Sequence, residues 1–266
     1  MWKRVTILGT GLMGGSFALA AREHLPGGRF VGWDRLEVLA QAVARGAVDE
    51  AQEDLGAALR DADLIYVALP IGRTLDMLPE IARLAPPVAL VTDSCSTKVA
   101  VCRAAEQHFR GGARFLGGHP MAGRERGGIA NADGKLFRGA KYALAAAAGD
   151  SDERVQQFAA LVAAMGAEPV WLDAETHDWA VAIVSHLAQL VAVALASVVR
   201  DETDETGLPL SLAGRGTQEM LRLAGSPYDI WRDICLTNTD NISRALDRLI
   251  QALDHLRHRL SSRELQ

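Results

Sequence analysis

The sequence is poor in cysteine. Its 266 residues contain three, Cys95, Cys102 and Cys235, an odd number without C-x-x-C spacing. A disulfide framework needs paired cysteines and a structural zinc site needs closely spaced ones, so this set favours neither. We therefore expect no metal site in this protein.

The sequence also lacks an excess of basic residues. It has 28 lysines and arginines against 33 aspartates and glutamates, which gives a net charge of −5 and a pI near 5.8. The basic residues are scattered, whereas nucleic-acid binding needs them in a patch or stripe. We expect a small-molecule partner rather than a nucleic acid.

Long apolar segments are missing as well. No apolar run reaches membrane-spanning length without interruption, and the N-terminus enters a predicted strand too early for a signal peptide. We expect a soluble, cytoplasmic protein without membrane contact. A chain of 266 residues can form two domains of ordinary size.

A glycine-rich turn near the N-terminus carries the strongest functional signal. An apolar run ends in G-x-G-x-x-G, and an apolar helical pattern follows. In this context the first glycine allows a tight turn, the second lets the backbone approach a pyrophosphate, and the third lets the helix pack on its strand. The helix N-terminus then favours the phosphates. The sequence predicts a dinucleotide site at Gly9, Gly11, Leu12, Met13 and Gly14.

An acidic residue follows the next predicted strand. The strand Arg29–Trp33 is followed by Asp34, 23 residues after Gly11. A carboxylate there can accept hydrogen bonds from both ribose hydroxyls of NAD, and its charge repels the 2′-phosphate of NADP. Arg35 leaves some room for NADP, because a guanidinium can pair with that phosphate. NAD is the expected cofactor and NADP the less favoured one.

The first two thirds of the sequence alternate between strands and helices. Apolar runs such as Leu64–Leu69 and Val88–Asp93 are typical of strands buried on both faces of a parallel sheet. Helical patterns separate them, which predicts a doubly wound α/β domain of Rossmann type over residues 1–173. Further predicted elements are the helices Ile71–Leu84 and Asp152–Met165 and the strands Lys141–Ala147 and Glu168–Leu172.

Polar residues follow two of these strands. The segment Asp93–Lys98 contains Ser96, and capping of the next helix is the simplest role for its hydroxyls. His119 lies between a glycine pair and a proline, on a predicted loop at the end of the next strand. Ligands gather beyond the carboxyl ends of parallel strands. A histidine there is more typical of function than of core packing.

The strands cease at Ala174. A long helix is predicted to about Arg200, followed by a break over Asp201–Pro209 and two further helical segments. This pattern predicts an all-α domain over residues 174–266. The charged stretch Arg200–Glu205 is predicted to be a solvated loop.

Polar residues interrupt the long helix. Ser185, His186 and Gln189 lie among apolar residues, and polar groups in a buried helix need partners. A hydrogen bond between helices and a contact to substrate are equally good explanations. The excess apolar surface of a small helical domain also favours burial against a second copy, which predicts a homodimer.

These residues together resemble the prephenate and arogenate dehydrogenases of tyrosine biosynthesis. The stretch G-G-H-P-M-A-G is the most specific part of the resemblance, since glycine-rich turns are common to all dehydrogenases. The resemblance covers almost the whole chain, through Gly9–Ser16, Thr92–Lys98, Gly117–Gly123, Ser185–Leu187 and Trp231–Ile234.

The resemblance implies an NAD-dependent enzyme with its active site between two domains and a dimer formed by the helical domain. It implies that a hydride leaves C4 of a cyclohexadienyl ring while the ring carboxylate leaves as CO2. The product would be 4-hydroxyphenylpyruvate from prephenate or tyrosine from arogenate. Because aromatisation drives the carboxylate out, the enzyme mainly positions the ring and stabilises charge at the 4-hydroxyl.

The resemblance also implies four residues in contact with the substrate. His119 would accept the 4-hydroxyl proton, a task for which imidazole is suited. Ser96 would hold that histidine and the hydroxyl in register. His186 would reach the substrate side chain, and Arg222 would bind a substrate carboxylate with its guanidinium.

Two departures from the family pattern leave the choice between prephenate and arogenate open. The family's G-F-R-D stretch is replaced by Gly216–Glu219, and Leu187-Ala188 lacks the proline of the usual S-H-L-P. The sequence has no length for a regulatory domain, so any feedback by tyrosine is expected at the active site.

Two other classes remain as alternatives. β-Hydroxyacid dehydrogenases and imine reductases share a similar glycine turn and a helical second domain, but they typically carry a lysine where this chain has His186. A non-catalytic NAD-binding sensor would bind NAD tightly without turnover, and loss of His119 would leave that binding unchanged.

Overall fold

A mostly parallel sheet and a set of helices form separate parts of the chain. The computed structural model describes residues 2–124, 126–146, 150–203 and 206–263. The chain divides into two compact units, Met1–His177 and Asp178–Gln266. The predicted domain limit at residues 173 and 174 stays a prediction.

The first unit contains one sheet of eight strands in the order β3-β2-β1-β4-β5-β6-β7-β8. All neighbouring strands pair in parallel except β6 and β7, which are antiparallel. The predicted α/β sheet of Rossmann type is therefore confirmed. The strands are β1 Arg4–Leu8, β2 Arg29–Trp33, β3 Glu50–Gln52, β4 Leu64–Val67, β5 Leu90–Asp93, β6 Arg114–Pro120, β7 Lys141–Ala145 and β8 Glu168–Leu172.

Helices connect these strands and cover the sheet. Every residue of β4 is fully buried, as a strand covered on both faces must be. The helices of this part of the chain are α1 Leu12–Arg22, α2 Leu36–Ala44, α3 Leu55–Leu59, α4 Ile71–Leu84, α5 Val99–His108, α6 Glu153–Ala164 and α7 Ala174–Val181, with a 3₁₀ turn at Ile129–Asn131.

Two predicted strands were too long, and two short elements were not predicted. The predicted strand from Val88 begins at Leu90, because Ala89 donates a turn hydrogen bond to Pro86. Strand β3 and helix α3 were not predicted, since both are short and β3 has the polar sequence E-A-Q. The predicted strand to Ala147 ends at Ala145, and Ala147 itself lies outside the described residues.

Helices are the only regular elements in the described part of the second unit. After α7 the helical path continues through a π-helical turn, Ala182–His186, into α8 Leu187–Asp201. Four helices follow in place of the two that were predicted: α9 Leu208–Ser211, α10 Arg215–Ala224, α11 Tyr228–Thr237 and α12 Thr239–Ser262. The apolar pattern runs on across their junctions, so periodicity could not separate them.

The charged stretch at the end of α8 differs from its prediction. Arg200 and Asp201 belong to the helix rather than to a loop, and residues 204 and 205 lie outside the described residues.

The helical stretch Ala174–Asp201 is strongly apolar. The stretch has 28 residues, and an 18-residue segment of it has a mean hydropathy of 2.1. By length and composition alone it could therefore cross a membrane. The sequence expectation concerned uninterrupted apolar runs, and Ser185, His186 and Gln189 interrupt this one. Only 28% of that window is buried, so most of its apolar surface needs another explanation.

Candidate active site

The glycine-rich turn after β1 explains its glycines by steric contacts. Gly9 has φ of +90°, and a Cβ there would lie 2.4 Å from the carbonyl oxygen of Ala68. A Cβ on Gly14 would lie 1.9 Å from the carbonyl oxygen of Gly9. Above Gly11, by contrast, no atom lies within 4 Å of a built Cβ. The backbone is therefore open at the position where a pyrophosphate would approach.

The start of α1 suits an anion. Within the described residues, its N-terminus has neither a side-chain cap nor an acidic residue in the first turn. The first N–H groups of a helix have no partner inside the helix and attract negative charge. The turn therefore fits the phosphates of a dinucleotide, with Leu12 and Met13 in the first turn.

Asp34 lies at the end of β2 and is held beside the glycine turn. Its Oδ2 accepts hydrogen bonds from the backbone N–H and the hydroxyl of Thr10, at 2.7 and 3.2 Å. Its Oδ1 accepts from the backbone N–H of Arg35 at 2.8 Å. These bonds fix a half-buried carboxylate at the edge where the adenosine ribose of a dinucleotide would lie.

A buried ion pair lies at the end of β5. The carboxylate of Asp93 and the ammonium of Lys98 are in direct contact, and both side chains are fully buried. The pair also binds the backbone of Gly118 in β6: Lys98 Nζ donates to its carbonyl at 2.7 Å, and Asp93 Oδ1 accepts from its N–H at 3.0 Å. The pair therefore fixes both polar groups of the residue that precedes His119.

Glycine is required at position 118 for this arrangement. A Cβ there would lie 2.5 Å from the carbonyl oxygen of Asp93 and 3.0 Å from Thr92 Oγ1. Burial acts to lower the pKa of Lys98, but Asp93, Cys95 and Cys102 together outweigh burial and raise that pKa above its usual value. Lys98 therefore keeps its positive charge at neutral pH.

Cys95 lies beside this pair and is not a nucleophile. Burial, followed by the charge of Asp93, raises the pKa of the Cys95 thiol well above its usual value. Its Sγ lies 3.4 Å from Thr74 Oγ1. A protonated, buried thiol of this kind is chemically inert.

His119 lies within β6 and not on a loop, which corrects the sequence expectation. It pairs with Ala143 of the antiparallel strand β7, and this pairing extends β6 past the end of its parallel pairing with β5. The side chain remains partly exposed. The imidazole therefore sits on a rigid strand at the carboxyl edge of the sheet.

A second histidine, which the sequence argument missed, contacts His119. His119 Nδ1 lies 2.8 Å from Nε2 of His177, and the two rings meet edge to face with centroids 5.0 Å apart. His177 is 2% exposed and lies in the first turn of α7. The signal in the sequence was weak, because polar residues are common in the first turn of any helix.

Ser96 follows β5 on the same edge and is partly buried. The expectation that the hydroxyls of Asp93–Lys98 cap the next helix stays a prediction. Helix α5 begins at Val99, and its cap position is Lys98, where no side-chain capping bond is formed within the described residues. The side chain of Lys98 is buried against Asp93, so this segment supplies both members of the ion pair.

His186 lies in the π-helical turn of the second unit, and its side chain is 1% exposed. Its Nδ1 lies 3.3 Å from the amide nitrogen of Asn238, which also donates to the carbonyl of Asp178 at 2.7 Å. Asn238 Oδ1 accepts from Asn241, which fixes the amide orientation. His186 Nδ1 is then the acceptor, and its Nε2 carries the proton.

Two polar residues of the long helical stretch thus have partners at junctions between helices, Asn238 for His186 and Ser226 for Gln189. Gln189 is buried in α8 and accepts a 3.4 Å hydrogen bond from Ser226. The π-helical geometry around Ser185 and His186 was not predicted, and such turns are frequent at functional sites. Arg222 lies on α10 with an exposed side chain.

The first unit thus brings together a dinucleotide turn, an acidic ribose partner and a histidine pair at one sheet edge, and a helical unit follows. The fold and this site define a dinucleotide-dependent dehydrogenase with a helical second domain. Residues 17–170 match the family described as "Prephenate dehydrogenase, nucleotide-binding domain", and residues 173–266 match "Prephenate dehydrogenase, dimerization domain". The chain belongs to the prephenate dehydrogenase family.

Individual relatives agree with this assignment. The prephenate dehydrogenase of Bacillus subtilis is 32% identical over 255 residues, which cover 95% of this chain and 69% of the relative. The prephenate dehydrogenase of Aquifex aeolicus has been solved with hydroxyphenyl propionate and NAD+, and that structure matches this chain with a TM-score of 0.91 and 28% identity. The match covers 98% of this chain and 91% of that one.

An arogenate dehydrogenase is similar too. The structure of the Synechocystis enzyme has a TM-score of 0.83 and 30% identity, and the match covers 98% of this chain and 93% of that one. Family membership sets aside the β-hydroxyacid dehydrogenase and imine reductase alternatives. The similarity to both kinds of enzyme keeps the choice of substrate open.

Proposed function

We propose that this protein catalyses the NAD-dependent oxidative decarboxylation of prephenate to 4-hydroxyphenylpyruvate. The observation that carries the proposal is the position of His119 on the same sheet edge as the Gly9–Gly14 turn and Asp34. NAD, when bound at that turn, supplies the hydride acceptor. The relatives of known activity support the same chemistry.

In this proposal His119 is the general base. Its Nε2 takes the proton of the 4-hydroxyl as the carbonyl develops at C4 and the hydride leaves that carbon. The bond from C1 to the ring carboxylate then breaks, and its electrons enter the ring. The proton returns from His119 to the phenolate oxygen, so the balanced reaction yields CO2 and reduced cofactor without releasing a proton. Ser96 holds the hydroxyl in register.

In this proposal, residues of the helical unit bind the side chain of the substrate. His186 would donate a hydrogen bond from its Nε2–H to a carbonyl or carboxylate oxygen of the substrate. The contact of its Nδ1 with Asn238 favours this tautomer. Arg222 would pair with a carboxylate through its guanidinium fork.

Arg222→Ala is expected to raise KM for prephenate strongly, with a smaller effect on kcat. A carboxylate that stays bound from the ground state to the transition state contributes uniform binding, which appears in KM. Steady-state kinetics check this, and Arg215 on α10 is the next candidate if Arg222 is not the carboxylate partner. An unchanged KM in Arg222→Ala contradicts the assignment, and a loss of thermal stability instead indicates a structural ion pair.

Activity with both substrates and both cofactors tests the proposed function. The purified chain is mixed with prephenate or arogenate and with NAD or NADP, and reduced cofactor is followed by its absorbance. We expect turnover of prephenate and a preference for NAD in kcat/KM of at least about tenfold, on the order of 1.4 kcal/mol. Asp34→Asn should relax that preference while keeping an acceptor for Thr10.

Three other outcomes of that test have separate meanings. Turnover of arogenate alone supports the second candidate, an arogenate dehydrogenase that gives tyrosine directly, which the Synechocystis relative favours. Equal use of NAD and NADP shows that Arg35 overrides Asp34. Tight NAD binding without turnover of either substrate supports the non-catalytic sensor.

In this proposal the protein is a cytoplasmic homodimer, and the helical unit forms the contact between its two copies. All the exposed large apolar side chains of the described residues, except Leu36, Val43 and Val88, lie in this unit or in α7. On α12 they form one stripe, Ile250, Leu253, Leu256 and Leu260, and the matched family domain is a dimerization domain. A detergent-free species of twice 28.5 kDa supports this assignment. A monomer, or a protein that needs detergent, contradicts it.

A further inference from the structure

The contact between His119 and His177 restricts the proton positions of both rings. Two imidazole nitrogens 2.8 Å apart need one donor and one acceptor. If His177 Nε2 were the donor, the neutral ring of His119 would carry its proton on Nε2 and could not accept another there. If His119 Nδ1 is the donor, its Nε2 has a lone pair for the substrate hydroxyl. Only the second arrangement is compatible with His119 as the base.

The fold holds His177 firmly in this position. Asp173 accepts hydrogen bonds from the backbone N–H and the hydroxyl of Thr176, at 2.7 and 2.8 Å, which anchors the start of α7. The backbone N–H of His177 donates to the Asp173 carbonyl at 3.0 Å. On the other side, the Asp93–Lys98 pair fixes the residue before His119. Both imidazoles therefore extend from constrained backbone.

We propose that His177 is a positioning residue that keeps His119 protonated on Nδ1 and stabilises the imidazolium formed during the reaction. This inference depends on the proposed function. The hydroxyl proton moves to His119 Nε2, while the Nδ1 proton stays in place and donates to His177 Nε2. His177 remains neutral, with its own proton on Nδ1, and no proton passes to it. His177 would thus fix the tautomer and the orientation of His119, as a hydrogen-bond acceptor does for the histidine of a catalytic triad.

The test compares variants that keep or remove the acceptor. His177→Phe keeps a ring but removes the acceptor, and His177→Gln places an amide oxygen near the position of Nε2. We expect His177→Phe to lower kcat by roughly 10–100-fold with little change in KM for prephenate, and His177→Gln to restore most of the turnover. His108→Gln, at the exposed end of α5, is the matched control with unchanged kcat.

A pH profile separates positioning from simple structural support. Without the acceptor, the protonated form of His119 loses a stabilising partner, so the acid limb of kcat/KM should move to lower pH in His177→Phe. The limb should stay near its original position in His177→Gln. A merely structural loss lowers the amount of folded enzyme and leaves the limb where it was.

A double variant shows whether His177 acts through His119. If it does, His119→Asn/His177→Phe should be no slower than His119→Asn alone. Equal kcat and pH profiles for His177→Phe, His177→Gln and wild type would overturn the inference. If His177→Phe fails to fold, His177→Asn takes its place, and equal turnover in the Gln and Asn variants would overturn the inference, since the Asn amide is too short to reach.

Failure of this inference and failure of the proposed function give different results. If wild type turns over prephenate and His119→Asn does not, while the His177 variants behave as wild type, only the positioning role is lost. If His119→Asn keeps full turnover, the base assignment itself is wrong.

Discussion

His119→Asn is expected to lower kcat for prephenate and NAD by about 10²–10⁴-fold, the range typical of a lost general base. The amide of asparagine has a similar shape to part of the imidazole ring but cannot take up a proton near neutral pH. The Kd for NAD should change by about twofold at most, on the order of 0.4 kcal/mol, because the cofactor is assigned to the Gly9–Gly14 turn and Asp34. Steady-state kinetics and an equilibrium titration with NAD measure the two quantities.

The pH profile provides the control for this prediction. The kcat of wild type should fall on the acid side, because imidazolium cannot accept the hydroxyl proton, and His108→Asn should keep the same profile. A His119→Asn variant with near-full turnover and the same acid limb would require another base, with His186 the first candidate. Unfolding of the variant would instead make His119 a structural strand residue.

The sheet was predictable because its strands carry strong local signals. Strands such as Leu64–Val67 are buried on both faces, so nearly every side chain is apolar and the run is visible in the sequence. The turn at Gly9 and Gly14 was predictable for a different reason. Backbone atoms lie where a Cβ would be, so the fold tolerates only glycine and leaves a pattern.

The histidine pair was not predictable from local patterns. His119 and His177 are 58 residues apart, and nothing in the sequence near either of them indicates the other. The same holds for Gly118 and the Asp93–Lys98 pair, which meet because β5 and β6 are neighbours in the sheet. Sequence patterns predict which elements form, whereas contacts between side chains at a sheet edge depend on strand order and register.

The helical unit shows the same limit in another form. Its sequence is apolar enough on α8 and α12 to predict helices, but several large apolar residues there, such as Val198 and Leu256, are exposed in the single chain. A hydrophobic pattern predicts that a face is covered and does not identify what covers it. The number of helices was wrong because Gly214, Pro227 and Asn238 divide a pattern that is otherwise continuous.

Lys98→Met is expected to lower the free energy of unfolding by about 3–5 kcal/mol. Methionine fills a similar volume but leaves the Asp93 carboxylate fully buried without its ammonium partner and removes one hydrogen bond from the Gly118 carbonyl. Because the pKa of Lys98 is raised, its charge contributes fully below the unfolded lysine pKa of about 10.4 and is lost only as pH rises through the higher folded value. The deficit should therefore be constant from about pH 6 to about pH 9, measured by urea denaturation.

The double variant Asp93→Asn/Lys98→Met separates the two explanations for such a loss. It removes both charges and keeps an amide oxygen at position 93 that can accept from the Gly118 N–H. If the cost comes from an uncompensated buried charge, the double variant should be more stable than Lys98→Met alone, as replaced ion pairs often are. If it comes from lost packing around the lysine stem, the double variant should be no more stable than the single one.

A Lys98→Met protein within about 1 kcal/mol of wild type would contradict the prediction, because substitutions that change stability this little break no essential contact. The Asp93 carboxylate would then have another partner or a water molecule, and the backbone beside His119 would need a different support.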